Sequence, residues 1–198
     1  MRVGFAIVIT TLLAAAAQAQ SPNQTVRVRG SIEAVEANRL IVRAREGGTV
    51  PITLREGWTV GGIKGAKLTD IRPGSFVGAA AVNRGDEILA VEVLIFPEGV
   101  RSNEGHYPWD LLPESSMTNA TVGSTVEGVK GPVLTLNYPG GEKKITVPPE
   151  APVVMFAPAE KSDLVAGAPV FVPAQKAEDG SLSAARVIVG NNGIAPPM

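Results

Sequence analysis

The chain predicts an all-β protein built from two tandem small OB-like β-barrels, each of about five strands with one short helical turn. Apolar residues recur at every second position in short runs bounded by Gly, Pro and Asn, the period of half-buried strands. Most of LTDIRPGSFVGAAAVNRGDEILAVEVLIF, Leu68 to Phe96, recurs as KSDLVAGAPVFVPAQKAEDGSLSAARVIVG, Lys161 to Gly190. Asp70 matches Asp163, Gly74 matches Gly167, Ala90 matches Ala184 and Val93 matches Val187, with one gapped residue in the hairpin turn. A repeat of apolar positions and turns is evidence of a duplicated fold. A site is expected where the copies differ.

In chain order, Val26 and Val28 alternate with Arg27 and Arg29, and Ile32 continues their apolar face. Leu40 and Val42 alternate with Ile41 and Arg43, and Gly47-Gly48 turns the chain into Val50, Ile52 and Leu54. Ala66 to Ile71 is the one helical turn predicted in the first copy, closed by Pro73-Gly74. Phe76 to Val82 and Leu89 to Phe96 then complete five strands with a helical turn between, the arrangement of small, partly open barrels. In the second copy Val126, Glu127 and Val129 are expected to echo Ile32, Glu33 and Val35. Leu134 and Leu136 are expected to echo Leu40 and Val42, and GGEKKITV at Gly140 to echo GGTVPITL at Gly47. The predicted layout is a first barrel over 26–96, a connection over 97–121, a second barrel over 122–190 and a tail over 191–198.

Residues 1–19 carry Arg2, an apolar run from Val3 to Leu13 and a small-residue cleavage site at Ala17-Gln18-Ala19, the pattern of a secretory signal peptide. No segment approaches the roughly 20 apolar residues of a membrane-spanning helix. The expectation is a periplasmic or secreted protein, without a lipid-attachment Cys or disulfides, because the chain has no Cys. With 18 basic and 19 acidic residues in the whole chain, no global field favours polyanions. Aromatic residues make up 5%, too few for the stacking platforms of nucleic-acid binding, so nucleic acid is not an expected partner.

His106 is the single His. With Glu104 and Asp110 it forms at most a weak surface metal candidate, since zinc and copper sites draw three or four ligands rich in His and Cys. The reading is no metal and no cofactor. Asp86-Glu87 and Glu178-Asp179 fall in hairpin turns, where acidic residues serve solvation and turn geometry. Asp70 and Asp163 read as caps of the helical turns. Ser115 and Ser116 lack a nucleophile-elbow context. No enzyme is expected.

The basic residues concentrate in the first barrel. By parity Arg27, Arg29, Arg43, Arg45 and Arg55 point away from the core, on the face where OB-like barrels bind ligands, which makes them an anion-binding candidate set. Glu33, Glu36, Glu46 and Glu56 intervene and favour an ordinary solvated face. In the connection, Tyr107 and Trp109 flank Pro108, with Leu111 and Leu112 just beyond. Large aromatics bury much area, so this cluster reads as a seam between barrels or as a partner hot spot.

The repeated Asp-aliphatic-x-x-Gly turn resembles a bacterial domain family of unknown function made of exported, OB-like β proteins. GHYPWDL at Gly105, MTNATV at Met117 and VGNNGIAPPM at Val189 resemble its two-copy subgroup from proteobacteria. The resemblance implies an OB-like fold and export. The functional expectation is a non-catalytic binding or assembly module of the periplasm or cell envelope, with an envelope protein or an anionic envelope component as partner. The alternatives are a weak metal-handling or hydrolytic protein centred on His106 and an anion binder using the Arg face.

Overall fold

The computed structural model describes residues 24–196. The expected signal segment 1–19 and the last two residues lie outside that range. The elements are β1 (Gln24–Glu36), β2 (Arg39–Ala44), β3 (Thr49–Gly65), a 3-10 turn at Leu68–Asp70, β4 (Phe76–Arg84) and β5 (Glu87–Ile95). They continue with β6 (Gly105–Pro108), β7 (Ser116–Val126), β8 (Val133–Tyr138), β9 (Gly141–Thr146), β10 (Val153–Ala157), a 3-10 turn at Lys161–Asp163, β11 (Pro169–Lys176), β12 (Leu182–Gly190) and a 3-10 turn at Asn191–Gly193. Among the described residues the fold is all-β, with five-stranded barrel closure and helical structure limited to single 3-10 turns. At the two repeated turns Asp70 Oδ2 accepts the Lys67 N–H and Asp163 Oδ2 accepts the Glu160 N–H, each at 2.8 Å. Both carboxylates reach back to a backbone donor that a short helix leaves unsatisfied.

The barrels are not the two halves of the chain. β1 pairs with β2 and β2 with β3, but the ring closes through β3 parallel to β12, β12 with β11, and β11 with β1. Its core contains Leu40, Val42 and Ile52 from the first copy and Val172, Ala184 and Val187 from the second. The second ring joins β7, β8 and β9 to β4 and β5, closing through a single bridge between Leu89 and Thr146. Val77 and Val93 pack there with Val122, Leu134 and Ile145. The expected boundaries, 26–96 and 122–190, are therefore corrected: three strands of one repeat combine with the terminal hairpin of the other.

The exchange has a physical basis in the repeat itself. Val77 and Val93 of one hairpin match Val170 and Val187 of the other, and all four are buried. Either hairpin thus fits either barrel. β3 extends over 17 residues, roughly 55 Å at the rise of a strand, and carries the chain past its own barrel to the next. At the crossing, Gly62–Gly65 of β3 runs antiparallel to Val154–Ala157 of β10, which also lies parallel to β5. Ile63, Leu94, Val154, Phe171 and Ile188 form the buried seam there.

Two further expectations change. Each copy has a bulge after an equivalent buried residue, between Ile32 and Ala34 in β1 and between Val122 and Ser124 in β7. The equivalent of Ile32 is therefore Val122, not Val126. Val126 and Val129 are exposed, because the β7–β8 turn is longer than the two-residue turn after β1 and displaces the alignment. The connection is also shorter than 97–121, since its last residues, from Ser116, belong to β7 and pair with both β4 and β6. Thr118 and Asn119 are buried beside Met117 and Ala120, so this strand is covered on both faces and lacks the alternation of a half-buried one.

Candidate ligand cleft

The outward faces of the exchanged hairpins meet in a cleft of about 920 Å³ astride the seam. This volume lies within the range of small-molecule sites. Its floor is apolar, with Leu94 and Ile188 from the two hairpins and Phe96, Phe156 and Phe171 around them. Phe96 meets Phe76 and Phe156 edge to face, with ring centroids 5.2 and 5.5 Å apart. That geometry fixes the ring orientations.

The cleft lies where the copies diverge. By the strand registers, Gly78 is the counterpart of Phe171, Glu92 of Arg186, Asn119 of Arg29 and Met117 of Arg27. Gly78 leaves room that a side chain would take: a Cβ there would come within 2.6 Å of Asn119 Oδ1.

Glu92 is the cleft's one carboxyl, and it is only 5% exposed. No hydrogen bond or ion pair among the described residues reaches it. Burial pushes its pKa up from 4.5 to about 8, against the opposing charge of Arg29. At neutral pH this side chain is a carboxylic acid, able to donate as well as accept. Among the described residues the indole Nε1 of Trp109, which belongs to a lining residue, is the buried side-chain polar atom left without a hydrogen-bond partner, whereas the Glu92 oxygens keep contact with the cleft's solvent. Unsatisfied buried polar groups are costly and concentrate where a ligand or water is to be met.

The connection forms one wall. β6 pairs with β7, placing Tyr107 opposite Met117. Tyr107 Oη accepts the Asn119 Nδ2–H at 2.9 Å, and burial raises the phenol pKa against the lowering effects of Arg27 and Asn119. Trp109 packs edge-on to Tyr107 and lies under Arg27, whose guanidinium carbon is 3.9 Å from the ring centroid. Asp110 accepts from Arg29 at 2.8 Å and Arg27 at 3.3 Å. Burial pushes its pKa up, but the hydrogen bond and charge of Arg29, followed by Arg27, hold the balance below the usual carboxylate value. Leu111 is buried against Ala80 and Met117, its carbonyl accepts from Arg45 at 3.2 Å, and Leu112 is exposed. The segment therefore bridges β7 of one barrel and β1 of the other.

The five Arg residues do not form one outward face. Arg29 is buried between Asp110, Phe171 and Trp109; Arg27 and Arg45 contact the connection; Arg43 pairs with Glu33; and Arg55 is exposed on β3 just beyond its pairing with β2. Parity placed Arg29 outside the barrel correctly, but the connection covers that outside. The residues considered for metal binding are engaged separately. Glu104 pairs with Arg101, Asp110 with the two Arg residues of β1, and His106 Nδ1 lies 2.9 Å from Thr118 Oγ1. Burial and the charge of Lys143 lower the His106 pKa.

Sequence reasoning missed Glu92, Arg101 and Arg186. The available signal was an acidic residue inside the apolar run LAVEVLIF, matched by an Arg in the other copy. Arg101 is bonded to Glu104 and Thr121. Arg186 lies across Gly61, toward Phe156 at 5.6 Å, and makes no ion pair among the described residues. Compared with protein-family models, with curated proteins and with solved structures, the chain matches none.

Proposed function

We propose that the protein is an exported, non-catalytic binding module of the cell envelope whose ligand site is the cleft between the exchanged barrels. The observation that carries this reading is Glu92, a buried carboxyl without a protein partner lining a cleft with an aromatic floor. A preformed apolar concavity with a few converging polar groups is what small-ligand sites share. The non-catalytic part is carried over from the sequence, in which Ser115 and Ser116 lack a nucleophile-elbow context. Export rests on the signal pattern of residues 1–19.

The test is native mass spectrometry of the mature chain after incubation with envelope extract, beside variants that fill the cleft at Ala157→Trp and at its rim at Val100→Trp. One small molecule should be retained by wild type and lost by both fillings. Retention unchanged in both variants would place the ligand elsewhere.

A further inference from the structure

We infer that the ligand of this cleft is an amphipathic organic anion, with an aromatic or aliphatic body on the phenylalanine floor and an acidic head held by Arg27 and Arg186. The inference rests on the binding reading above and adds the chemical class. Arg27, Arg101 and Arg186 all line the cleft, with Arg29 close behind Trp109. Arg101 is neutralised by Glu104, and Asp110 is shared between Arg27 and Arg29. Arg186 has no acidic partner among the described residues, so its charge is left for the cleft. An aromatic cage of this kind also suits organic cations, but the surrounding guanidinium groups oppose one. The remaining field selects a negative head, and Arg geometry matches planar or tetrahedral oxyanions.

Glu92 is consistent with this choice. Its raised pKa leaves it uncharged at neutral pH, so it donates to an oxyanion instead of repelling it. The body of the ligand would lie against Phe156 and Phe171, beside the guanidinium groups of Arg186 and Arg29.

Two fluorescent probes with the same ring system separate the class from the site: 1-anilinonaphthalene-8-sulfonate, an anion, and N-phenyl-1-naphthylamine, its uncharged analogue. The mature chain should bind the sulfonate one to one and at least about tenfold tighter, with added salt weakening only the sulfonate. Arg186→Gln and Arg27→Gln should each weaken the sulfonate about tenfold, as loss of a charge-assisted hydrogen bond does. They should leave the uncharged probe unchanged. Equal affinity for the two probes, or sulfonate binding indifferent to both Arg substitutions, overturns the anion class while the cleft survives if Ala157→Trp or Val100→Trp still blocks the probes. Neither probe bound, or both bound despite both fillings, overturns the cleft as well.

Discussion

Ile63 and Phe156, equivalent residues of the two repeats, lie directly opposite one another in the β3–β10 pair. A position that faces its own counterpart marks a two-fold axis, as in a self-complementary dimer interface. Here the axis runs inside one chain, and each repeat lends its terminal hairpin to the other. Because the faces meeting at the axis come from different copies, substitutions that leave both barrel cores intact are free to make the cleft asymmetric. Glu92 and Arg186 are such a pair.

Neither repeat closes a barrel alone, so 24–96 and 97–198 expressed separately should each lack a cooperative monomeric transition. Co-expressed, the two pieces should copurify as a folded one-to-one complex. The check is thermal unfolding followed by circular dichroism, with size-exclusion chromatography. A monomeric 24–96 that unfolds cooperatively would contradict the exchange.

Trp109→Ala should loosen the connection while both barrels stay folded. The ring is half-buried, stacks under Arg27 and packs on Tyr107, so the cost falls below the roughly 3–5 kcal/mol of a fully buried aromatic. Limited proteolysis should reveal new cleavage between residues 97 and 115. Unchanged resistance would mean that Asp110 and β6 hold the segment without the indole.

Glu92 predicts an unusual pH dependence. Its folded pKa lies above its unfolded value, so between about 4.5 and about 8 the folded state binds more protons, and stability falls as pH rises through that window. The displacement, at about 1.4 kcal/mol per pH unit, bounds the loss at roughly 5 kcal/mol. Glu92→Gln should flatten this slope and stabilise the protein most at pH 8 and above. Parallel denaturation curves for both proteins from pH 5 to 9 would refute the assignment.

Asp110 has the opposite sign. Its pKa is depressed, so its contribution is present above the unfolded value, near 3.8, and is lost as pH falls through the folded one. Asp110→Asn should therefore destabilise at pH 6 and converge with wild type in strong acid. Because the carboxylate is partly exposed, the cost at pH 6 should be modest, about 1 kcal/mol after solvent screening. Urea midpoints at pH 6 and pH 3 measure it.

Much of the strand content was legible in the sequence. Leu40, Val42, Ile52 and Leu54 alternate as a half-buried surface requires, and Asp70 and Asp163 mark the turns. The exchange was not legible, because the two hairpins bury the same apolar face and pattern alone does not say which barrel receives it. β7 was read as part of the connection because the buried Thr118 and Asn119 look like solvated positions. The cleft was hidden for the same reason. Glu92 lies on the outer side of β5 with Leu94, where a single barrel would meet water, and only the second barrel turns that face into a wall.

The most direct test of the exchanged architecture is an engineered disulfide, made clean by the absence of any native Cys. Thr53 and Ser183 are neighbours in the parallel β3–β12 pair, and the counterpart of Ser183 in the first copy's own hairpin is Leu89. Oxidation should form an intrachain bridge in the Thr53→Cys, Ser183→Cys chain and none in the Thr53→Cys, Leu89→Cys chain. A bridge between 53 and 89, with none between 53 and 183, would show that each repeat closes its own barrel and would contradict the account.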